Sequence, residues 1–155
     1  MKPEIGIHIN DGGQRFTDLI LSGQKTVETR FPRKNNPEKG TLDKFVGQRV
    51  GLIRTGRGPA MLVGYATIGE RITYSSLAEF RAAESEHQVE AGSNYDTQGK
   101  KFGYSLLDVE RVTPTVVPRG GDRISRPLAR PEVEVSLSGR GRAVSVGKDR
   151  AARTI

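Results

Sequence analysis

The sequence predicts an α+β domain: a small, partly closed β-barrel of about five or six strands with two helices over residues 1–118, then a disordered tail over residues 119–155. Three observations carry this. Short runs of alternating apolar residues recur between turn signals, the pattern of half-buried strands. The longest such run is interrupted by Gly64 and Gly69, as curved and bulged strands are. After Pro118 periodicity fades while basic residues accumulate, so that chain lacks the apolar surface needed to order it.

Taken in order, Ile5, Ile7 and Ile9 alternate with Gly6, His8 and Asn10 and predict a first strand, ended by Asp11-Gly12-Gly13. Phe16, Leu19, Ile20 and Leu21 fall at helical spacing, and Gly23 stands where a helix closes. Lys25 to Phe31 reads as a strand. Residues 32–41 form a polar loop with three basic side chains. Val46, Val50, Leu52 and Ile53 mark another strand, and Ala60 to Ile72 a long one. Ser76 followed by Glu79 is a capping box that opens a second helix running to about Glu84. Residues 85–102 read as a long polar connector, and Tyr104 to Val117 as the last strand.

Composition narrows the function. The 155 residues are enough for one core, but only 34% are apolar, with 19 glycines and 8 prolines. There is no cysteine and there are two histidines, which excludes disulfides, thiolate zinc sites and a cysteine nucleophile; neither a metal nor another cofactor is expected. No signal peptide or apolar span long enough for a membrane occurs, so the expected compartment is the cytoplasm. The net charge of +7 is uneven: residues 1–118 hold 16 Lys/Arg against 14 Asp/Glu, residues 119–155 nine against four.

The segment from Leu19 to Arg30 holds the most chemistry. A helix ends at a glycine and a polar strand begins at once, with Lys25 at the junction and Thr26, Glu28 and Arg30 on one strand face. Such a face either lies in solvent as a set of cross-strand ion pairs, or lines a pocket for a polar or anionic ligand. Arg30 offers a forked donor, Glu28 an acceptor or base, Lys25 a compact charge. Arg33, Lys34, Lys39, Arg54 and Arg57 lie in loops that suit a phosphate-binding rim as well as they suit solubility. Tyr65 and Tyr104 fit either base stacking or the core. His8 reads as a solvated strand residue, His87 as a loop residue without a role. Gly139-Arg140-Gly141-Arg142 resembles an RNA-contacting arginine-glycine element in miniature.

Gly23-x-Lys25-Thr26-x-Glu28-x-Arg30, preceded by an apolar helix, resembles the GxKxxExR signature of the ASCH domain family. The strand from Gly47 to Ile53 and the start at Lys101-Phe102-Gly103-Tyr104 are similar too, so the resemblance spans roughly residues 4–118. It implies a PUA-like barrel whose cleft binds RNA; in that family some members are ribonucleases, and others are amidohydrolases that deacylate N4-acetylcytidine. The amidohydrolase pattern is Gly-x-Lys-Thr-x-Thr-x-Arg, and this chain carries Glu28 at the second Thr; the later catalytic glutamate would correspond to Glu84 or Glu86. Two functions therefore fit. One is an RNA- or nucleotide-binding module using Lys25, Thr26, Glu28, Arg30, Arg54 and Tyr104. The other is a metal-independent hydrolase with Lys25 and Glu28 in acid–base roles.

Overall fold

A computed structural model describes residues 3–129 of the chain. Strand β1 (Ile5–Asn10) leads to helix α1 (Phe16–Leu21), then β2 (Val27–Arg30). A two-stranded ribbon, β3 (Pro32–Arg33) with β4 (Asn36–Gly40), replaces the polar loop, followed by a 3-10 turn at Asp43–Phe45. Next come β5 (Arg49–Thr55) and β6 (Met61–Tyr74), helices α2 (Leu77–Ala82) and α3 (Glu84–His87), then β7 (Lys101–Val116) and β8 (Ser125–Pro127). Three short helices thus stand where two were expected, because α3 forms inside the segment read as a connector. Among the described residues no helix is long and apolar enough to cross a membrane.

Six strands form one mixed sheet in the order β2-β7-β6-β5-β1-β8, with β1 parallel to β5 and the other neighbours antiparallel. The register of β6 against β7 slips near Gly64 and again between Ile68 and Arg71, so the two glycines do mark irregular, bent strand. Gly64 is required there, since a Cβ would lie 2.5 Å from the Glu110 carbonyl oxygen. The sheet is not closed: β2 and β8 are its edges, and no ladder joins them. The sheet nonetheless bends far enough for Arg30 on edge strand β2 to donate through Nη2 to the His8 carbonyl of β1 at 2.6 Å. One side chain spans the gap that a ladder would have closed.

The core follows the predicted alternation. Ile7 and Ile9 are fully buried while Ile5 is exposed, and Leu52, Ile68 and Phe102 complete the same interior. Ser76 Oγ accepts from the Glu79 N–H at 3.1 Å, and Glu79 reaches back to the Ser75 N–H at 2.8 Å. This capping box starts α2 and buries Phe80.

The chain stays in contact with the sheet past Pro118. Residues 122–128 return to the sheet, where β8 pairs antiparallel with residues 5–7 of β1. Leu128 packs over Gly6, where a Cβ would stand 2.7 Å from its Cδ2; only a bare backbone leaves that room. The segment has few apolar residues, so its sequence reads as tail; its order comes from backbone pairing to an open sheet edge. Residues 130–155, with Gly139-Arg140-Gly141-Arg142, lie outside the described residues.

Candidate functional site

Helix α1 ends by a left-handed Gly23 (φ +86°), and the Lys25 N–H bonds back to the Leu19 carbonyl at 3.0 Å. This exit turns Lys25 inward. It is 2% exposed, its Nζ donates to the His87 carbonyl at 2.6 Å, and it stands 4.8 Å from the centre of the Phe16 ring. On β2, Glu28 is buried; its Oε1 is 3.7 Å from Lys25 Nζ, and its Oε2 accepts from Arg30 Nε at 2.9 Å. The cluster is therefore not an exposed strand face. Burial lowers the Lys25 pKa, Glu28 opposes that, and the Arg30 charge adds to it.

These three residues line the floor of a cleft of about 530 Å3 between the sheet edge, α1 and the loop after α3. Its walls are aromatic and basic. Tyr95 stands 6.1 Å from Phe16 and 6.4 Å from Phe31 between ring centres, and Phe31 is 47% exposed, a large apolar ring left open beside the cleft. The loop that carries Tyr95 is clamped by Arg81, which holds Asp96 through both Nε and Nη2. Lys101 enters from the start of β7, buried against the Phe80 ring, its ammonium donating to the Thr97 carbonyl. Asp122 and Arg123 close the far side.

His87 is fully buried and has a structural part. Its ring stacks on Phe80 at 4.1 Å, Nε2–H donates to the Phe80 carbonyl at 2.6 Å, and Nδ1 accepts from the Val89 N–H at 2.9 Å. Both bonds together fix the neutral ring, and burial lowers its pKa accordingly. Its carbonyl anchors Lys25 at the same time. His8 is half-buried rather than solvated, and it too lines the cleft.

Of the residues singled out from the sequence, Lys25, Glu28 and Arg30 converge. Thr26 is exposed before β2 and outside the cleft, using its backbone to bond Glu86 and Leu106. Arg54 lies within β5, not in a loop, and does not line the cleft. Tyr104 is fully buried and donates to Asp43 Oδ1 at 2.7 Å, a core tyrosine with a satisfied hydroxyl. Glu84 and Glu86 are exposed on α3, neither lining the cleft. Phe16, Tyr95, Lys101, Asp122 and Arg123 were not singled out. Phe16 reads as plain helix face, and Tyr95 and Arg123 sit in segments whose composition signals loop and tail. Among the described residues no group of three His, Asp or Glu is placed to hold a metal ion.

No protein-family model matches the chain, and no curated protein does. Solved structures do. An ASCH protein from Zymomonas mobilis superposes with a TM-score of 0.51 at 18% identity, over 70% of this chain and 71% of that one. Two point mutants of that protein give TM-scores of 0.52 and 0.55 at 19% and 18% identity. They cover 74% and 81% of this chain and 76% and 89% of theirs. The chain has an ASCH-like fold.

Proposed function

We propose that the cleft binds RNA or a nucleotide. The observation that carries this is the buried Lys25–Glu28–Arg30 cluster at the floor of a cleft walled by Phe16, Tyr95 and Phe31. Burying two cations and a carboxylate costs folding energy that apolar side chains of like size would not, which is a reason to read the cluster as ligand-directed. Aromatic rings beside it offer stacking faces to any base, and the polar floor offers donors and one acceptor to a base edge. The basic residues of the 119–155 segment add salt-sensitive affinity for RNA in this reading, and the unit that binds is an ASCH-like domain of a cytoplasmic protein.

A second reading, hydrolysis of an N4-acylated cytidine or of RNA, draws on the Lys25 environment. A lysine whose proton is loosened by burial, 3.7 Å from a carboxylate, is suited to proton transfer. Glu84 and Glu86 have no part in it from where they stand. Titration of the protein with cytidine, N4-acetylcytidine and a short RNA, with turnover followed in parallel, separates the two. In the binding module Glu28→Gln lowers affinity about tenfold and no product forms. In the hydrolase Glu28→Gln keeps affinity while turnover falls roughly 100-fold. If Lys25→Ala and Glu28→Gln alter neither affinity nor turnover, the cleft is not the site.

A further inference from the structure

Four cations line the cleft, and three are already committed. Lys25 donates to the His87 carbonyl, Arg30 to Glu28 and the His8 carbonyl, and Lys101 to the Thr97 and Gly99 carbonyls. Arg123 is the exception: its guanidinium is exposed and makes no ion pair or hydrogen bond among the described residues. A guanidinium at the mouth of a cleft, with its whole fork unused, is a ready receptor for a phosphate.

Its position is built, not incidental. Residues 118–128 form a strap along β1, with β8 as the sheet's edge. Gly121 takes φ +76° where a Cβ would press on Arg126 Cα at 2.6 Å, and the Asp122 N–H then bonds the Ser125 carbonyl at 2.9 Å. Asp122 Oδ1 accepts the Ile124 and Ser125 N–H groups, which fixes the turn that holds Arg123 at the rim of the cleft. Beside the backbone pairing of β8 with β1, one side chain of β1 also holds the strap. His8 Nδ1–H donates to the Arg123 carbonyl at 3.1 Å, and His8 Nε2 accepts from Arg126 Nε at 2.9 Å. Only neutral imidazole can do both.

Resting on the reading of the cleft as a nucleotide site, we propose that Arg123 is the residue that takes the ligand's phosphate, and that neutral His8 is its positioning residue. The cleft therefore prefers a phosphate-bearing nucleotide, free or within RNA, to an uncharged nucleoside. Protonating His8 removes the acceptor for Arg126 and sets a third positive charge beside two guanidiniums. The charged groups facing it are Arg126 from β8, Arg30 from β2 and Asp122 from the turn, while β5 presents Ile53 at its register. Burial, Arg126 and Arg30 lower the His8 pKa, the Arg123 carbonyl and Asp122 oppose them, and the latch holds at neutral pH and loosens in acid.

The test compares cytidine with the dinucleotide CpC, whose diester stays ionised throughout the pH range used. At pH 7.5 and low salt the wild type should bind CpC about tenfold more tightly than cytidine, the scale of one charge-assisted hydrogen-bond pair. Arg123→Ala should erase that difference by weakening CpC binding far more than cytidine binding, with the urea midpoint unchanged, and Arg123→Lys should restore part of it. Lowering the pH from 7.5 to 5.5 should shrink the CpC advantage in wild type and not in His8→Gln, whose amide does not titrate. A CpC advantage that survives Arg123→Ala, or a pH dependence that survives His8→Gln, overturns the assignment while leaving the cleft intact as a nucleoside site. Failure of the wild type to bind either ligand would instead remove the cleft reading on which it rests.

Discussion

Two clusters of the same chemical type meet at one strand pair. Glu28 and Tyr104 are direct cross-strand partners on β2 and β7, yet each belongs to a different network. Glu28 joins Lys25 and Arg30 at the cleft. Tyr104 joins Asp43, which also accepts from the Gly40 N–H at 2.9 Å and from Arg71 Nη1 at 2.9 Å. In the Asp43 cluster each acceptor meets a donor from a different element, so the 3-10 turn, the ribbon, β6 and β7 are locked together. Burial would push the Asp43 pKa up, but Gly40, Tyr104 and Arg71 hold it below the ordinary carboxylate value. That network is finished. The Glu28 cluster is the more deeply buried of the two, yet Lys25, Glu28 and Arg30 all line a cleft with aromatic walls. Charge pattern alone does not separate a structural hub from a site; access to a shaped cavity does.

The contrast can be broken most forcefully at Asp43. Asp43→Ala strands the Tyr104 hydroxyl and the Gly40 N–H, so urea unfolding should show a loss of about 2–4 kcal/mol, with nucleotide affinity of the folded fraction unchanged. Removing the chain after Pro118 comes next. It deletes β8, the Arg126 contact to His8 and the Leu128 cover on Gly6, and thermal melting should fall by several degrees. An unchanged melting temperature would return the domain boundary to Pro118.

Much of this was legible in the chain. The helix closed by Gly23, the Ser76–Glu79 cap, the Ile7/Ile9 alternation and the glycine-bent long strand all depend on local chemistry and appear as read. Lys25, Glu28 and Arg30 were visible because their spacing is local too. The other walls were not, because they depend on contacts distant in sequence. Tyr95 is brought in by a clamp from Arg81 to Asp96, and Arg123 by a strand whose pairing is made by its backbone. Sheet closure was also beyond reach, since a single side chain, Arg30, bridges the edge where a ladder was expected.

Lys25→Met sharpens the comparison at a smaller cost. It removes a buried charge and leaves Glu28 paired with Arg30, but it strands the His87 carbonyl, so stability should fall by about 1–3 kcal/mol while nucleotide affinity falls at least about tenfold. The smallest effect is on pH. His8 and His87 both have pKa values lowered from 6.5 by burial, so the unfolded chain takes up protons first. Their contribution is complete above about pH 6.5 and declines as pH falls below it; Asp43 adds its own loss only below its unfolded value of 3.8. Urea midpoints measured from pH 7.5 to 5 should therefore decline, and His8→Gln should flatten part of that slope.

The most direct measurement is a backbone amide NMR titration of the full chain with CpC. If the cleft is the site, the largest shift changes fall on residues 25–31, Tyr95 and Arg123, while Asp43, Gly40 and Tyr104, a strand's width away, move little. Saturating changes centred on the Asp43 cluster, or confined to residues outside the cleft, would contradict the account.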